Sequence, residues 1–216
     1  MPKLDCIQID PKSPITHSVI WLHGLGAHGR DFAKLVPKLT LPKNHGIRFI
    51  FPTAPERPIT MRGGKVATAW YDLIAIHPKR KINMGEFDAS VTMIHDLIEQ
   101  EIEQGVPSEN IFVIGFSQGG AVTYEAALLF NKPLAGLLSL STYLPRNLDI
   151  HESNQSLPIY IFHGENDSMV PYDRGETAYE DLMAKGANVE LITMPIRHEV
   201  SRAQLAQMSA ILKGEQ

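Results

Sequence analysis

The chain has almost no cysteine: Cys6 is the only one in 216 residues, so no disulfide can form within the chain. It also lacks any apolar run of the roughly 18 residues that a membrane-spanning helix needs. The N-terminal stretch MPKLDCIQIDPK contains no apolar segment of signal-peptide length. We therefore predict a cytoplasmic protein with no stable membrane insertion.

The chain also lacks a strong excess of charge of either sign. The chain carries 20 basic and 24 acidic residues and has a formal net charge of −4. Its densest basic run is Lys79-Arg80-Lys81, which is typical of a solvated loop rather than of a nucleic-acid-binding patch. We expect no nucleic-acid partner.

The sequence is rich in short apolar runs that alternate with longer segments of helical periodicity. This alternation is typical of an α/β fold with a mostly parallel central sheet and helices on both faces, and we predict a single domain over residues 1–216. The predicted strands are Ser18–Leu22, Ile47–Phe51, Ile111–Gly115, Leu134–Leu140, Ile159–Phe162 and Val189–Met194, with an antiparallel edge strand near Leu4–Ile9. The predicted helices are Asp31–Leu39, Glu86–Gln104, Gln118–Phe130, Asp173–Lys185 and Glu199–Leu212.

Two segments, Pro52–Met84 and Thr142–Leu157, show no regular pattern. Both follow the carboxyl ends of predicted strands, where ligands bind in open α/β sheets. Long irregular loops in a compact domain are often functional. We therefore expect both segments to border the functional site.

A G-x-S-x-G pattern occupies Gly115–Gly119, with Ser117 at its centre. The residues before it are apolar and those after it are helical and rich in alanine. A strand, a tight turn and a helix in this order expose the serine Oγ above the sheet. The pattern predicts that Ser117 is a nucleophile; the alternative is a glycine-rich turn that carries a serine incidentally.

A serine hydroxyl needs a positioned base, which a third group must orient. On this architecture the chain order is serine, acid, histidine, and His198 follows the last predicted strand. His163 is a weaker candidate because it lies so close in sequence to the acid candidates, and His151 lies in an unassigned loop. We therefore predict that His198 is the base.

Three carboxylates between His163 and the next helix are candidates for the acid. Asp167 lies a few residues beyond a predicted strand, with room to turn toward the imidazole. Asp173 is better explained as the N-cap of a helix. Glu165 remains the closest alternative to Asp167, which we predict to orient His198.

The segment WLHGLGAHGR, residues 21–30, satisfies the G-x-G-x-x-G pattern of dinucleotide-binding turns. That function requires an acidic residue at the end of the next strand, and this strand ends instead at Pro52 and Thr53. The same segment contains His-Gly-Leu-Gly, whose backbone can approach an oxyanion closely. We favour the oxyanion function. We expect His23 and His28 to hold the loop by hydrogen bonds rather than to bind a metal.

The elements HGLG, PTAP, WYD, GFSQGG and HG-x-x-D-x-x-V-P occur in this order from about His17 to the final helix. In this they resemble the acyl-protein thioesterase and carboxylesterase group of α/β-hydrolases. The resemblance implies the α/β-hydrolase fold, and it allows a homodimer. It also implies a triad and an oxyanion hole formed by two backbone amides: Ser117, Asp167 and His198, with Leu25 and Gln118. The sequence departs from the group at Ala27, where an acidic residue is usual, and at Arg197, where glycine is common.

The predicted chemistry is hydrolysis of a small ester or thioester through an acyl-enzyme, which requires no metal or organic cofactor. The chain lacks a long helical insertion that could form a lid, so we expect an open cleft for short to medium acyl chains. Acylated proteins and lysophospholipids are further candidate substrates. The loop residues expected around Ser117 are Met61, Trp70, Tyr71, Tyr143, Leu144 and Met169.

Two other classes of function are alternatives. The first is a non-catalytic binding protein of the same fold, which the sequence disfavours because no triad residue or elbow glycine is lost. The second is a dienelactone-hydrolase-like enzyme, which typically uses a cysteine where this chain has Ser117.

Overall fold

Seven of the apolar runs form one sheet in the computed structural model, which describes residues 4–77 and 79–215. The predicted domain over residues 1–216 also includes residues 1–3, 78 and 216, which lie outside the described residues. The strands are β1 (Asp5–Ile9), β2 (His17–Leu22), β3 (Ile47–Thr53), β4 (Glu56–Ile59), β5 (Lys65–Thr68), β6 (Leu73–Ala75), β7 (Lys81–Ile82), β8 (Ile111–Phe116), β9 (Gly136–Leu140), β10 (Ile159–Gly164) and β11 (Val189–Met194). The α-helices are α1 (Gly29–Ala33), α2 (Met84–Glu103), α3 (Gln118–Leu128), α4 (Asp173–Ala184) and α5 (Arg202–Leu212).

The order of strands across the main sheet is β1-β3-β2-β8-β9-β10-β11. β1 pairs antiparallel with β3 at one edge, and the other pairs are parallel. The predicted mostly parallel sheet and its antiparallel edge strand are therefore confirmed. β8 lies at the centre, so the turn that follows it opens above the middle of the sheet.

Helices cover both faces because successive side chains of a strand point to opposite sides. On β2, Ile20 and Leu22 belong to the core that includes α2, α3 and α4. Val19 and Trp21 belong to the core on the opposite face, which includes residues of α1 and α5. A continuously apolar strand is what a sheet buried on both faces requires.

Several predicted helix boundaries are wrong. The predicted helix Asp31–Leu39 is instead α1, which ends at Ala33, followed by a 3₁₀ turn at Val36–Lys38. Pro37 explains the break, because it lacks an amide proton and its ring clashes with the carbonyl group four residues earlier. α5 begins at Arg202 rather than Glu199, because Ser201 and Gln204 form a capping box at its start.

Asp173 is not the N-cap of α4. Tyr172 occupies that position without a side-chain capping bond, and Asp173 is the first helical residue. A carboxylate there still lies in the first turn, where it complements the positive end of the helix dipole.

The two segments without a predicted pattern have different structures. Pro52–Met84 contains two small antiparallel hairpins, β4 with β5 and β6 with β7. Thr142–Leu157 contains a single 3₁₀ turn at Glu152–Asn154. Among the described residues, no helix has the length and apolar character needed to cross a membrane.

Candidate active site

Ser117 lies at the sharp turn between β8 and α3 with φ +52° and ψ −117°. A non-glycine residue with positive φ is uncommon and is strained unless its surroundings hold it. Its amide donates to the carbonyl of Leu140 at 2.9 Å, and the hydroxyl of Thr142 donates to the Ser117 carbonyl at 2.6 Å. These bonds fix the serine between the ends of two neighbouring strands.

The glycines on either side of Ser117 allow the turn to pack closely. A Cβ atom on Gly115 would lie 2.7 Å from the backbone of Gly119. One on Gly119 would lie 2.5 Å from the carbonyl oxygen of His23. The motif therefore demands glycine for steric reasons, as its sequence pattern predicts.

His198, which follows β11, reaches both predicted partners. Its Nε2 lies 3.0 Å from Ser117 Oγ, and its Nδ1 lies 2.7 Å from Asp167 Oδ2. The Phe116 ring packs against the imidazole, with 4.7 Å between ring centroids. These three residues, which are distant in sequence, thus form one hydrogen-bonded chain.

Asp167 is held as an ionised carboxylate. Burial alone would raise its pKa, but hydrogen bonds from His198 and from the amides of Val170 and Met169 lower the pKa below its ordinary value. Both amides donate to Oδ1 at 2.9 Å, which leaves Oδ2 for the imidazole. The loop after β10 therefore fixes which oxygen faces His198.

The weaker candidates for base and acid make other contacts. Glu165 Oε1 accepts from the hydroxyl of Thr193 at 3.1 Å. His151 caps its own 3₁₀ turn, with Nδ1 accepting from the amide of Ser153. His163 is fully buried and bonds through Nε2 to the carbonyl of Val170 at 2.9 Å.

Leu25 and Gln118 both line the cavity beside Ser117. Gln118 is the first residue of α3, so its amide has no partner within the helix. In the loop after β2, the two amides that follow Leu25 are already engaged, with Gly26 donating to Thr68 O at 2.8 Å and Ala27 to Gly24 O at 3.1 Å.

The side chain of Gln118 has a role that the sequence analysis missed. Its Oε1 accepts from the amide of Trp70 at 2.9 Å, and its Nε2 donates to the carbonyl of Tyr71 at 2.7 Å. The Trp70 indole in turn donates to the carbonyl of His23 at 2.8 Å. These bonds join the serine turn, the WYD segment and the HGLG loop.

His23 holds the HGLG loop, as predicted. Its Nε2 accepts from the amide of Ala54 at 3.0 Å, so the ring proton lies on Nδ1, which donates to the carbonyl of Gly24 at 2.7 Å. Burial lowers the pKa of His23 to about 4, so the ring is neutral. His28 is the N-cap residue of α1, and its amide donates to Asp31 Oδ2 at 3.0 Å.

A cavity of about 220 Å³ opens beside Ser117 and His198. Four of the six expected loop residues line it: Met61, Tyr71, Tyr143 and Met169. Trp70 is fully buried and does not line the cavity, and Leu144 lines a neighbouring cavity instead. Sequence analysis missed further lining residues: Phe32, Arg62, Leu73, Ile76, Arg80, Phe116 and Val170.

The two departures from the group lie in different places. Ala27 lines the cavity beside Ser117, where a larger acidic side chain would reduce the space. Arg197 lines a separate depression with Asn166, Ser168 and Glu199. Within residues 4–77 and 79–215, no cluster of three or more His, Cys, Asp or Glu side chains could hold a metal ion.

The fold and site together define an α/β-hydrolase. The sheet is mostly parallel, and a strained serine lies between its central strand and the following helix. This serine is hydrogen-bonded to a histidine, which is hydrogen-bonded in turn to an aspartate. Residues 5–214 match the phospholipase/carboxylesterase family, and the chain belongs to that family. The resemblance seen in the sequence is thereby confirmed.

Similar proteins cover nearly the whole chain. Acyl-protein thioesterase 1 homolog 2 of Dictyostelium discoideum is 31% identical over 213 residues, 96% of each chain. Acyl-protein thioesterase 1 of Neurospora crassa is 35% identical over 192 residues, which cover 83% of this chain and 78% of the relative. The crystal structure of Arabidopsis thaliana SOBER1 matches with a TM-score of 0.87 at 30% identity, over 93% of this chain and 99% of that one. The chain is accordingly a serine hydrolase of the carboxylesterase and thioesterase kind.

Proposed function

We propose that the chain hydrolyses carboxylic esters or thioesters with Ser117 as nucleophile, His198 as general base and Asp167 as the residue that orients His198. The observation that carries this proposal is the series of two hydrogen bonds, 3.0 Å from Ser117 Oγ to His198 Nε2 and 2.7 Å from His198 Nδ1 to Asp167 Oδ2. With Nδ1 donating to the carboxylate, Nε2 carries the lone pair that can accept the serine proton.

In the proposed reaction, Ser117 Oγ attacks the substrate carbonyl carbon while His198 Nε2 takes its proton. The resulting tetrahedral intermediate collapses when His198 returns the proton to the leaving alcohol or thiol. A water molecule then attacks the acyl-serine by the same route, releasing the acid and restoring Ser117.

The negative charge on the intermediate needs two aimed donors, for which we propose the amides of Leu25 and Gln118. Support comes from their position at the wall of the cavity beside Ser117 and from the free helix end at Gln118. In other enzymes, each such donor contributes about 3 kcal/mol to transition-state stabilisation.

The acyl group is proposed to be short to medium in length, because the cavity beside Ser117 is small, at about 220 Å³, and largely apolar. The thioesterase relatives are named for acylated proteins, and we extend that substrate class to this chain together with small esters. Lysophospholipase-type activity is the alternative. A marked preference for long triglycerides over short aryl esters would contradict the proposed acyl length.

The direct test is Ser117→Ala, assayed with p-nitrophenyl butyrate. We expect a loss of kcat of about 10⁴-fold or more, because the nucleophile is removed, and a loss of labelling by a fluorophosphonate probe. Ser156→Ala is the matched control, since Ser156 is exposed and lines neither cavity. Full turnover by Ser117→Ala, or a wild-type chain that the probe does not label, would refute the proposal.

A further inference from the structure

The wall of the active-site cavity contains a pair of buried tyrosines. The hydroxyl oxygens of Tyr71 and Tyr143 are 2.6 Å apart, and the two residues are only 1% and 7% exposed. Burial raises the pKa of both phenols above their ordinary value, so both keep their protons at neutral pH. Both residues line the cavity beside Ser117.

One hydroxyl proton of this pair remains free to donate a further hydrogen bond. Two phenols carry two hydroxyl protons, and the bond between their oxygens uses only one of them, whichever phenol donates. Within the described part of the chain, neither hydroxyl has a further protein acceptor within hydrogen-bond distance. A buried hydroxyl without an acceptor is costly, so the pair favours a ligand that accepts a hydrogen bond.

The charges around the pair favour an anionic ligand. The Arg80 guanidinium carbon lies 4.2 Å from the centroid of the Tyr143 ring, which places a cation beside the phenols. Arg80 and Tyr143 also line a second cavity, of about 440 Å³, whose other charged residues are Lys79 and Arg174. Among the described residues that line the two cavities there is no Asp or Glu.

We propose that Tyr71, Tyr143 and Arg80 form a subsite that binds a carboxylate on the substrate, apart from the ester or thioester that Ser117 attacks. The proposal rests on the proposed function, because it concerns the remainder of the molecule that is cleaved. One oxygen of a carboxylate can accept a hydrogen bond from the spare hydroxyl, and the other can face the guanidinium. The carboxylate can belong to the acyl chain or to the leaving group, and the experiment separates these two sources.

The test compares charged substrates with uncharged substrates of similar length. For the acyl side, p-nitrophenyl monoesters of succinic, glutaric and adipic acid are compared with p-nitrophenyl pentanoate, hexanoate and heptanoate. For the leaving-group side, 4-acetoxybenzoate is compared with 4-acetoxybenzamide. Uncatalysed hydrolysis is subtracted. We expect kcat/KM for a charged substrate in one arm to exceed that of its uncharged partner by roughly tenfold, and that arm identifies the source.

The variants Arg80→Met and Tyr143→Phe should each lower this charged-to-uncharged ratio by roughly tenfold. Because the ratio compares two substrates on the same protein sample, partial misfolding does not alter it. Arg202→Met is the control, since Arg202 is exposed on α5 and lines neither cavity, and its ratio should equal that of the wild type.

Two results would overturn the subsite: no preference for a carboxylate in either arm, or a preference that Arg80→Met leaves unchanged. Neither result would touch the proposed function if uncharged esters are still hydrolysed in a Ser117-dependent way. Loss of that dependence would instead overturn the proposed function.

Discussion

Asp167 has two oxygens with two different tasks. Oδ1 is fixed by the amides of Met169 and Val170, and Oδ2 faces His198. Because both amides are donors, only an oxygen can occupy the first position. The second position therefore determines whether His198 Nδ1 donates or accepts, and with it whether Nε2 is free to take a proton from Ser117.

This geometry predicts the effect of the substitution Asp167→Asn. The asparagine oxygen stays on the two loop amides, so its NH₂ group faces His198 Nδ1 and favours the tautomer with the proton on Nε2. We expect kcat for p-nitrophenyl butyrate to fall by about 10³- to 10⁴-fold with the fold unchanged. Glu165→Gln is the matched control and should retain activity. If Glu165→Gln loses activity and Asp167→Asn keeps it, the acid is assigned to the wrong carboxylate.

The meeting of Ser117, His198 and Asp167 could be predicted from the sequence because their types and positions are restricted. Ser117 lies in a glycine pattern that steric contacts enforce, and His198 and Asp167 follow strands whose ends meet at one edge. The cavity wall could not be predicted in the same way. A tryptophan such as Trp70 suits a cavity wall as well as the core, and only the three-dimensional structure shows that it is fully buried. Arg80 lies in a basic run that is typical of a solvated loop, yet it stacks on Tyr143.

At the scale of elements, the ends of β2 and β3 are joined through one histidine. His23 accepts from the Ala54 amide just beyond β3 and donates to the Gly24 carbonyl just beyond β2. The bond from Ala54 requires the neutral ring, because a protonated Nε2 could not accept, whereas Nδ1 can donate to Gly24 in either state. Protonation of His23 would therefore separate the HGLG loop from the neighbouring strand end.

Stability should depend on pH through His23. Its pKa is about 4 in the folded chain and 6.5 in the unfolded one, so the unfolded state takes up the proton first and stability falls as the pH falls from 6.5 to 4. Between pH 7 and pH 5 this costs about 2 kcal/mol. In urea unfolding, His23→Gln should lose about 2 kcal/mol less over this interval than the wild type.

His77→Gln provides the control for that measurement, since His77 is exposed. It should lose as much stability between the two pH values as the wild type does. An equal loss in His23→Gln and the wild type would show that His23 does not remain neutral in the folded chain.

Strands could be predicted where a long apolar run marks them in the sequence, but not where they form only by pairing with another short segment. The buried strands β8 and β10 are continuous apolar runs, so their existence was clear from the sequence. The strands β6 and β7 have three and two residues, too few to show any alternation, and they form only by pairing with each other. This hairpin carries Leu73 to the cavity wall, which explains why that part of the wall was missed.

At the scale of the whole molecule, one cluster of charges connects the loop after β9 to the helices α2 and α3. Arg146, in the connection after β9, bonds to Glu125 of α3 at 2.6 Å and to Asp88 of α2 at 2.7 Å. The Glu125 side chain is 0% exposed, whereas that of Arg146 is 43% exposed. Burial outweighs the attraction of Arg146 and raises the pKa of Glu125 above its ordinary value.

Removing Arg146 should therefore cost more than removing a surface ion pair. In Arg146→Met, Glu125 is left buried without a cationic partner, and we expect the free energy of unfolding at pH 7 to fall by about 2 kcal/mol, less than for a fully buried pair because Arg146 is partly in water. Lys132→Met, which breaks the half-exposed pair with Glu99, should cost less than about 1 kcal/mol. Adding Glu125→Gln to Arg146→Met removes the buried charge and should restore part of the loss. Urea unfolding of the four proteins measures these differences, and equal losses in the two single variants would mean that Glu125 is stabilised by groups other than Arg146.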